Sequence, residues 1–213
     1  MTRSSPRIAA ITGQESVTSG TVPHSHITGP TIARPAYPVV MSEIAPDDKD
    51  WTWTLERACP DCGFDAASVP AADIAGLVTA YTRPWSDVLA RPDAATRPDP
   101  TTWSPLEYAC HVRDVCDLFA ARVQLMLNED GARFANWDQD VTAVESRYAE
   151  QSPPEVAAEI PAAAARLSGA YAGLSGEQWD RRGLRSNGSE FTVLTLGRYA
   201  LHDLAHHVWD VRG

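Results

Sequence analysis

The segment His202-Asp203-Leu204-Ala205-His206-His207 pairs His202 with His206 and Asp203 with His207 at i, i+4 spacing. Residues four apart on a helix share a face, so either pair can offer two ligands to one ion. Advancing about 100° per residue puts His207 inside the apolar arc of Leu196, Ala200, Leu204 and Val208 and Asp203 at its edge, while His202 and His206 point away. A metal buried among helices therefore selects Asp203 and His207. A third ligand, His111, lies on another patterned segment between Tyr108 and Val115, on a face that also turns inward. Taken singly, each of these histidines reads as a core residue; together they make a facial set of two imidazoles and one carboxylate. Such a set leaves coordination positions open for water or substrate, as catalytic sites do, and suits Zn²⁺ first, with Ni²⁺ or Fe²⁺ as alternatives.

Cys59-Pro60-Asp61-Cys62-Gly63 is the other metal-capable motif, either a zinc knuckle or a redox pair. Zinc ribbons need two more ligands at comparable spacing, and none follows nearby. A thioredoxin-like pair would sit at a strand-to-helix junction, which the pattern does not show. The expectation is a local turn with free thiols. Cys110 projects about 100° away from His111 and reads as packing. No phosphate-binding Gly-Lys-Ser/Thr loop and no Gly-x-Ser-x-Gly elbow occurs, since Lys49 is the only lysine, so nucleotide hydrolysis and serine esterase chemistry are disfavoured.

Four helices are expected to hold these groups. The first runs from about Pro70 to Leu89, with Ser68 as a candidate N-cap. The second starts at the capping box Ser104-Pro105-Leu106-Glu107 and lasts to about Asn128. Ser152-Pro153-Pro154-Glu155 opens a third, through about Leu174, with Pro161 as a kink or a 3₁₀ turn. The fourth begins after Thr192 and reaches Val211. Before it, Asn187-Gly188 marks a tight turn and a small hairpin, a better reading of Asn187-Gly188-Ser189 than a glycosylation sequon. The long connection 129–151, with Asn136-Trp137-Asp138-Gln139-Asp140, is expected to cover one end of the bundle.

Long helices without strand–helix alternation predict an all-α fold, an up-and-down four-helix bundle over residues 46–213. Residues 1–45, rich in Ser, Thr, Pro and Gly and without periodicity, predict a disordered tail; Met41 is a candidate true start. The 213-residue chain carries a formal charge of −10, which argues against nucleic acid and anionic membrane surfaces as partners. No apolar run approaches the ~20 residues a bilayer span needs, and no signal-peptide core is evident, so a cytoplasmic location is expected. The four cysteines would there be kept as thiols. The arginine-for-lysine usage suggests a bacterial source of high GC content, and a wide apolar fourth helix makes a homodimer plausible.

Trp103-Ser104-Pro105-Leu106-Glu107-Tyr108-Ala109-Cys110-His111-Val112-Arg113-Asp114-Val115 resembles the second-helix motif of the DinB-like superfamily, which includes metal-dependent, mycothiol-using maleylpyruvate isomerases and related thiol transferases. Asp203, His207 and Asp210 match the acid, histidine and second acid of the last helix in the mycothiol branch, with Asp in place of the longer Glu. The block Trp51–Asp65 resembles the start of a DinB-like subgroup. The resemblance covers about Met41 to Gly213 and implies a DinB-like bundle with His111, Asp203 and His207 as ligands and Asp210 orienting one of them. The HDLAHH repeat leaves His202 and His206 as an alternative pair; otherwise they become supporting or surface groups. The implied chemistry is a divalent metal that activates a low-molecular-weight thiol, such as mycothiol, toward an electrophilic substrate. Arg182, Arg185 and Arg198 are candidates for holding carboxylates at the mouth. The alternative is a non-catalytic metal-binding or stress-associated interaction protein.

Overall fold

The computed structural model describes Ile44 and residues 49–212. The expected tail 1–45, save Ile44, and the candidate start at Met41 lie outside the described residues. From residue 49 the chain runs through three 3₁₀ turns (Trp51–Leu55, Ala66–Ser68, Ala71–Asp73) into α1 (Ile74–Thr82) and α2 (Trp85–Leu89). Then follow α3 (Pro105–Asn128), β1 (Ala132–Phe134), α4 (Gln139–Glu145), α5 (Pro153–Tyr171), β2 (Arg182–Arg185), β3 (Glu190–Thr192) and α6 (Val193–Asp210).

Local chemistry explains most of these bounds. The first helix is split at Pro84, which stands before α2 as its N-cap residue. Its start is later than Pro70 because the segment there winds as a 3₁₀ turn, and the expected cap Ser68 ends an earlier 3₁₀ turn that Asp65 caps, so α1 begins without a side-chain cap. Ser104 and Glu107 form the expected capping box on α3, and Thr192 caps α6. Pro161 is carried inside α5, which stays α-helical throughout with no 3₁₀ turn.

The helices form one layer of packing around a core that includes Ile74, Val78, Trp85, Leu106, Ile160, Leu167, Leu196, Leu201 and Leu204. α1 packs against α5 and α6, and α3 packs against the same two. The circuit therefore runs α1, α5, α3, α6. An up-and-down bundle would place consecutive helices side by side, whereas here the first long helix stands diagonally from the second. The connection 90–104 is long enough to cross the bundle end, which removes the constraint that short loops impose. Gly197 lets α6 approach its neighbours: a Cβ there would meet the Tyr171 ring at 2.9 Å and Ile74 Cδ1 at 3.0 Å.

The fold is not purely helical. β2 and β3 make the expected hairpin, closed by the Gly188 N–H donating to the Arg185 carbonyl at 2.8 Å, with Gly188 at φ +96°. β1 joins β2 in parallel, giving a three-stranded sheet of order β1-β2-β3. Gly183 in β2 faces Met126 and Phe134 so closely that a Cβ would lie 2.6 Å from the Phe134 ring.

Glu107 ties the start of α3 to the preceding loop. It accepts from the Ser104 amide and hydroxyl, both at 2.8 Å, and pairs with Arg97 while buried. Burial pushes its carboxyl up, but Arg97 and Ser104 outweigh this and hold it below its usual range. A folded-state pKa below the unfolded one contributes stability above the unfolded value of about 4.3, lost as pH falls through the lower folded value. Glu107→Gln is expected to cost about 2 kcal/mol at neutral pH. The difference in urea midpoint between the two proteins should close in acid; a pH-independent difference would assign the loss to capping alone.

Candidate metal centre

α3 presents His111 and α6 presents Asp203 and His207, and one potential ligand atom from each lies within 4.8 Å of the others. His111 Nε2 is 3.3 Å and His207 Nε2 3.6 Å from Asp203 Oδ1. Two ligands about 2.1 Å from one ion at a tetrahedral angle would be about 3.4 Å apart. Those separations are long for a direct hydrogen bond. His111 is fully buried, and neither of its ring nitrogens, nor Asp203 Oδ1, has a hydrogen-bond partner among the described residues. Unpaired buried polar atoms are costly, and two of them, His111 Nε2 and Asp203 Oδ1, face each other at a separation that fits a cation between them. Burial raises the Asp203 carboxyl, but the neighbouring imidazoles of His111 and His207 outweigh it and hold it at about 2, so it is ionised at neutral pH.

His207 is oriented from behind. Its Nδ1 is 2.8 Å from Asp210 Oδ2, which leaves Nε2 aimed at Asp203. This is the place the sequence gives to the second acid of the last helix, and carboxylates in such positions fix the tautomer and angle of a metal-binding imidazole. Asp210→Asn is expected to weaken zinc binding at this centre about 10- to 100-fold while leaving the helical circular dichroism unchanged. Competition with a chromophoric chelator measures it; an unchanged affinity would remove Asp210 from the site.

Aromatic rings wall the centre. Trp137, from the long connection, stacks on His111 at 5.2 Å, and Trp103 approaches it at 5.5 Å. Tyr108 lies 5.1 Å from His207. The connection thus covers the metal-capable residues themselves. A small cavity of about 70 Å³ touches Asp203 and His207, the neighbouring His202 and His206, and Trp51, Gln139 and Tyr199. A larger one of about 400 Å³ shares Trp51, Gln139 and Tyr199 and adds Lys49, Asp138 and Arg185. Gln139 opens α4 and Tyr199 lies on α6, at positions where helical spacing alone assigns no chemistry.

Of the three arginines proposed for the mouth, Arg185 lines this larger cavity, its guanidinium held by Asn187 at 2.9 Å and Ser189 at 3.0 Å. Arg182 is exposed and paired with Asp130 at 3.0 Å. Arg198 donates to the Val69 carbonyl at 2.7 Å, so it fastens the segment before α1 to α6.

The alternative pair takes another direction. His202 and His206 do not join His111; they meet Cys59 and Cys62, with one potential ligand atom from each of the four within 4.8 Å of the rest. His202 is buried and His206 half-buried, so neither is a surface group. The helical arc correctly turned them away from the bundle centre, but the segment 51–69 covers that side of α6. Burial, and then the neighbouring His206, lower the His202 imidazole to about 4. Among the described residues, all four cysteines are free thiols.

The sequence profile of the DinB superfamily matches residues 76–211, and the chain belongs to this superfamily. Among solved structures, it is similar to YfiT from Bacillus subtilis, described as a probable metal-dependent hydrolase with an unusual four-helix bundle topology. The two share a TM-score of 0.56 at 16% identity, over 69% of this chain and 85% of that one, a likeness of fold. No curated protein sequence matches the chain. Among the described residues, no helix is long and apolar enough to cross a membrane.

Proposed function

We propose that the protein holds a divalent metal at His111, Asp203 and His207 and uses it in a thiol-dependent transfer or isomerisation, with a small thiol of the mycothiol type as co-substrate. The observation that carries this reading is the convergence of three potential ligand atoms beside a cleft, with no fourth in the cluster among the described residues. A divalent metal there supplies an electrophilic centre that lowers the pKa of a thiol in an open position. Asp203 and His111 fix that centre against the core, Asp210 sets the angle of His207, and Trp137 excludes water from the His111 side. Arg185, which lines the larger cavity, would pair with a carboxylate on the thiol or its acceptor. Free cysteines suit a reducing compartment, and we place the protein in the cytoplasm.

The hydrolase description attached to YfiT favours a second reading, in which water replaces the thiol as nucleophile. Zinc- or nickel-loaded protein should be assayed with an electrophile in the presence and absence of a low-molecular-weight thiol, alongside ester and amide substrates. Thiol-dependent turnover supports the first reading. Turnover without thiol supports hydrolysis, and a metal-loaded protein inert in both assays returns the centre to a binding or structural role.

A further inference from the structure

We propose that Cys59, Cys62, His202 and His206 form a second, closed metal site, a structural zinc centre that pins the segment 49–69 to α6. It shares no ligand with His111, Asp203 and His207, and its cysteines precede the span matched by the superfamily profile.

Spacing and turn geometry both fit. Two residues separate the cysteines and three separate the histidines, within the ranges that Cys₂His₂ zinc sites use. The cysteines sit on a tight turn. The Gly63 amide donates to the Cys59 carbonyl and the Cys59 amide to the Phe64 carbonyl, both at 2.9 Å, with Gly63 at φ +74°. A side chain would strain that left-handed backbone. The histidines sit one helical turn apart, their rings 5.2 Å from centre to centre. Cys59 Sγ lies 3.7 Å from His206 Nδ1. A thiolate and an imidazole sharing a tetrahedral zinc ion, with bonds of about 2.3 and 2.1 Å, would stand roughly 3.6 Å apart.

Burial and charge point the same way. Cys59 is 1% and His202 4% exposed, and His202 Nε2 is buried without a hydrogen-bond partner among the described residues. The Trp51 ring covers both histidines, at 5.7 and 5.5 Å. On binding, each thiol loses its proton to solvent; the resulting thiolates and two neutral imidazoles balance the charge of a divalent ion. The S₂N₂ donor set selects zinc over harder cations, and four protein ligands leave no position for substrate. Such a centre does mechanical work. The segment 49–69 has only short 3₁₀ turns of its own, and this link fixes it to the helix that bears Asp203 and His207.

The test uses full-length, untagged protein loaded with zinc and then with cobalt(II). The expected zinc content is about two ions per chain. The cobalt form should show sulfur-to-metal charge-transfer bands and the intense visible bands of a four-coordinate ion. His111→Ala should lose one ion and keep those bands; the double variant Cys59→Ser and Cys62→Ser should lose them and keep the ion at the other centre. Because the cysteine variant could unfold, zinc-edge absorption on the wild-type protein gives an independent readout, with sulfur required in the coordination shell. A wild-type protein that binds metal with no sulfur ligand, or whose Cys59 and Cys62 form a disulfide in the metal-loaded state, overturns the proposal. One ion with thiolate bands would instead keep this centre and sink the open one.

Discussion

Replacing His111 by alanine is expected to abolish metal binding at the open centre and to reduce any metal-dependent turnover by at least about 100-fold. The reason is geometric. Asp203 and His207 come from one helix and would fix only one side of an ion, and His111 is the potential ligand from α3 that would close the set. His207→Ala and Asp203→Ala should behave alike, because each leaves two ligands. Elemental analysis and turnover should fall together in all three. If His111→Ala keeps full metal content and full rate, the buried imidazole is a core residue stacked on Trp137 and tilted against Trp103, and the centre lies elsewhere. Asp203→Asn separates charge from shape: it preserves volume but removes the anion, so metal should be lost while the fold stays.

Trp85→Ala should be the most damaging single truncation of the scaffold, costing about 3 to 5 kcal/mol. Trp85 is fully buried at the start of α2, which packs on both α3 and α5. Removing its ring leaves a void that three elements would have to close. For a domain of this size the melting temperature should fall by roughly 10 °C. Its indole N–H has no hydrogen-bond partner among the described residues, so Trp85→Phe removes an unsatisfied donor along with part of the ring. The phenylalanine variant should therefore lose much less, and calorimetry on the two distinguishes packing from polarity. A loss of under about 1 kcal/mol for alanine would show that the surroundings collapse to fill the space.

What could be read from the chain followed the range of the forces involved. The capping box at Ser104, proline at the first position of α3 and α5 and the Asn187-Gly188 turn are set within a few residues, and each is legible. β1 was not, because its only signature is pairing with β2 some fifty residues later, and three residues carry no periodicity. The diagonal placement of α1 and α3 was hidden for a related reason: hydrophobic stripes say that a helix is buried, not which neighbour buries it. The convergence of His111, Asp203 and His207 is legible because each lies on or at the edge of an inward face. Spacing motifs look for the partners of Cys59 and Cys62 nearby in sequence, whereas His202 and His206, which meet them, lie some 140 residues downstream on α6. The histidine arc that excluded His202 and His206 from one centre was the available clue that they served another.

Gly197 gives α6 something like the keyway of a shaft. Where other positions on the helix carry side chains that can slip past a neighbour, this one accepts the Tyr171 ring and the Ile74 methyl directly against its backbone. The helix is thereby indexed in rotation as well as in depth. Asp203 and His207 look one way from that shaft and His202 and His206 another, so a turn of even one residue, about 100°, would misaim both sets at once. With no methyl at residue 197 the helix seats closely against Tyr171 and Ile74, and from that seat it serves two differently composed clusters.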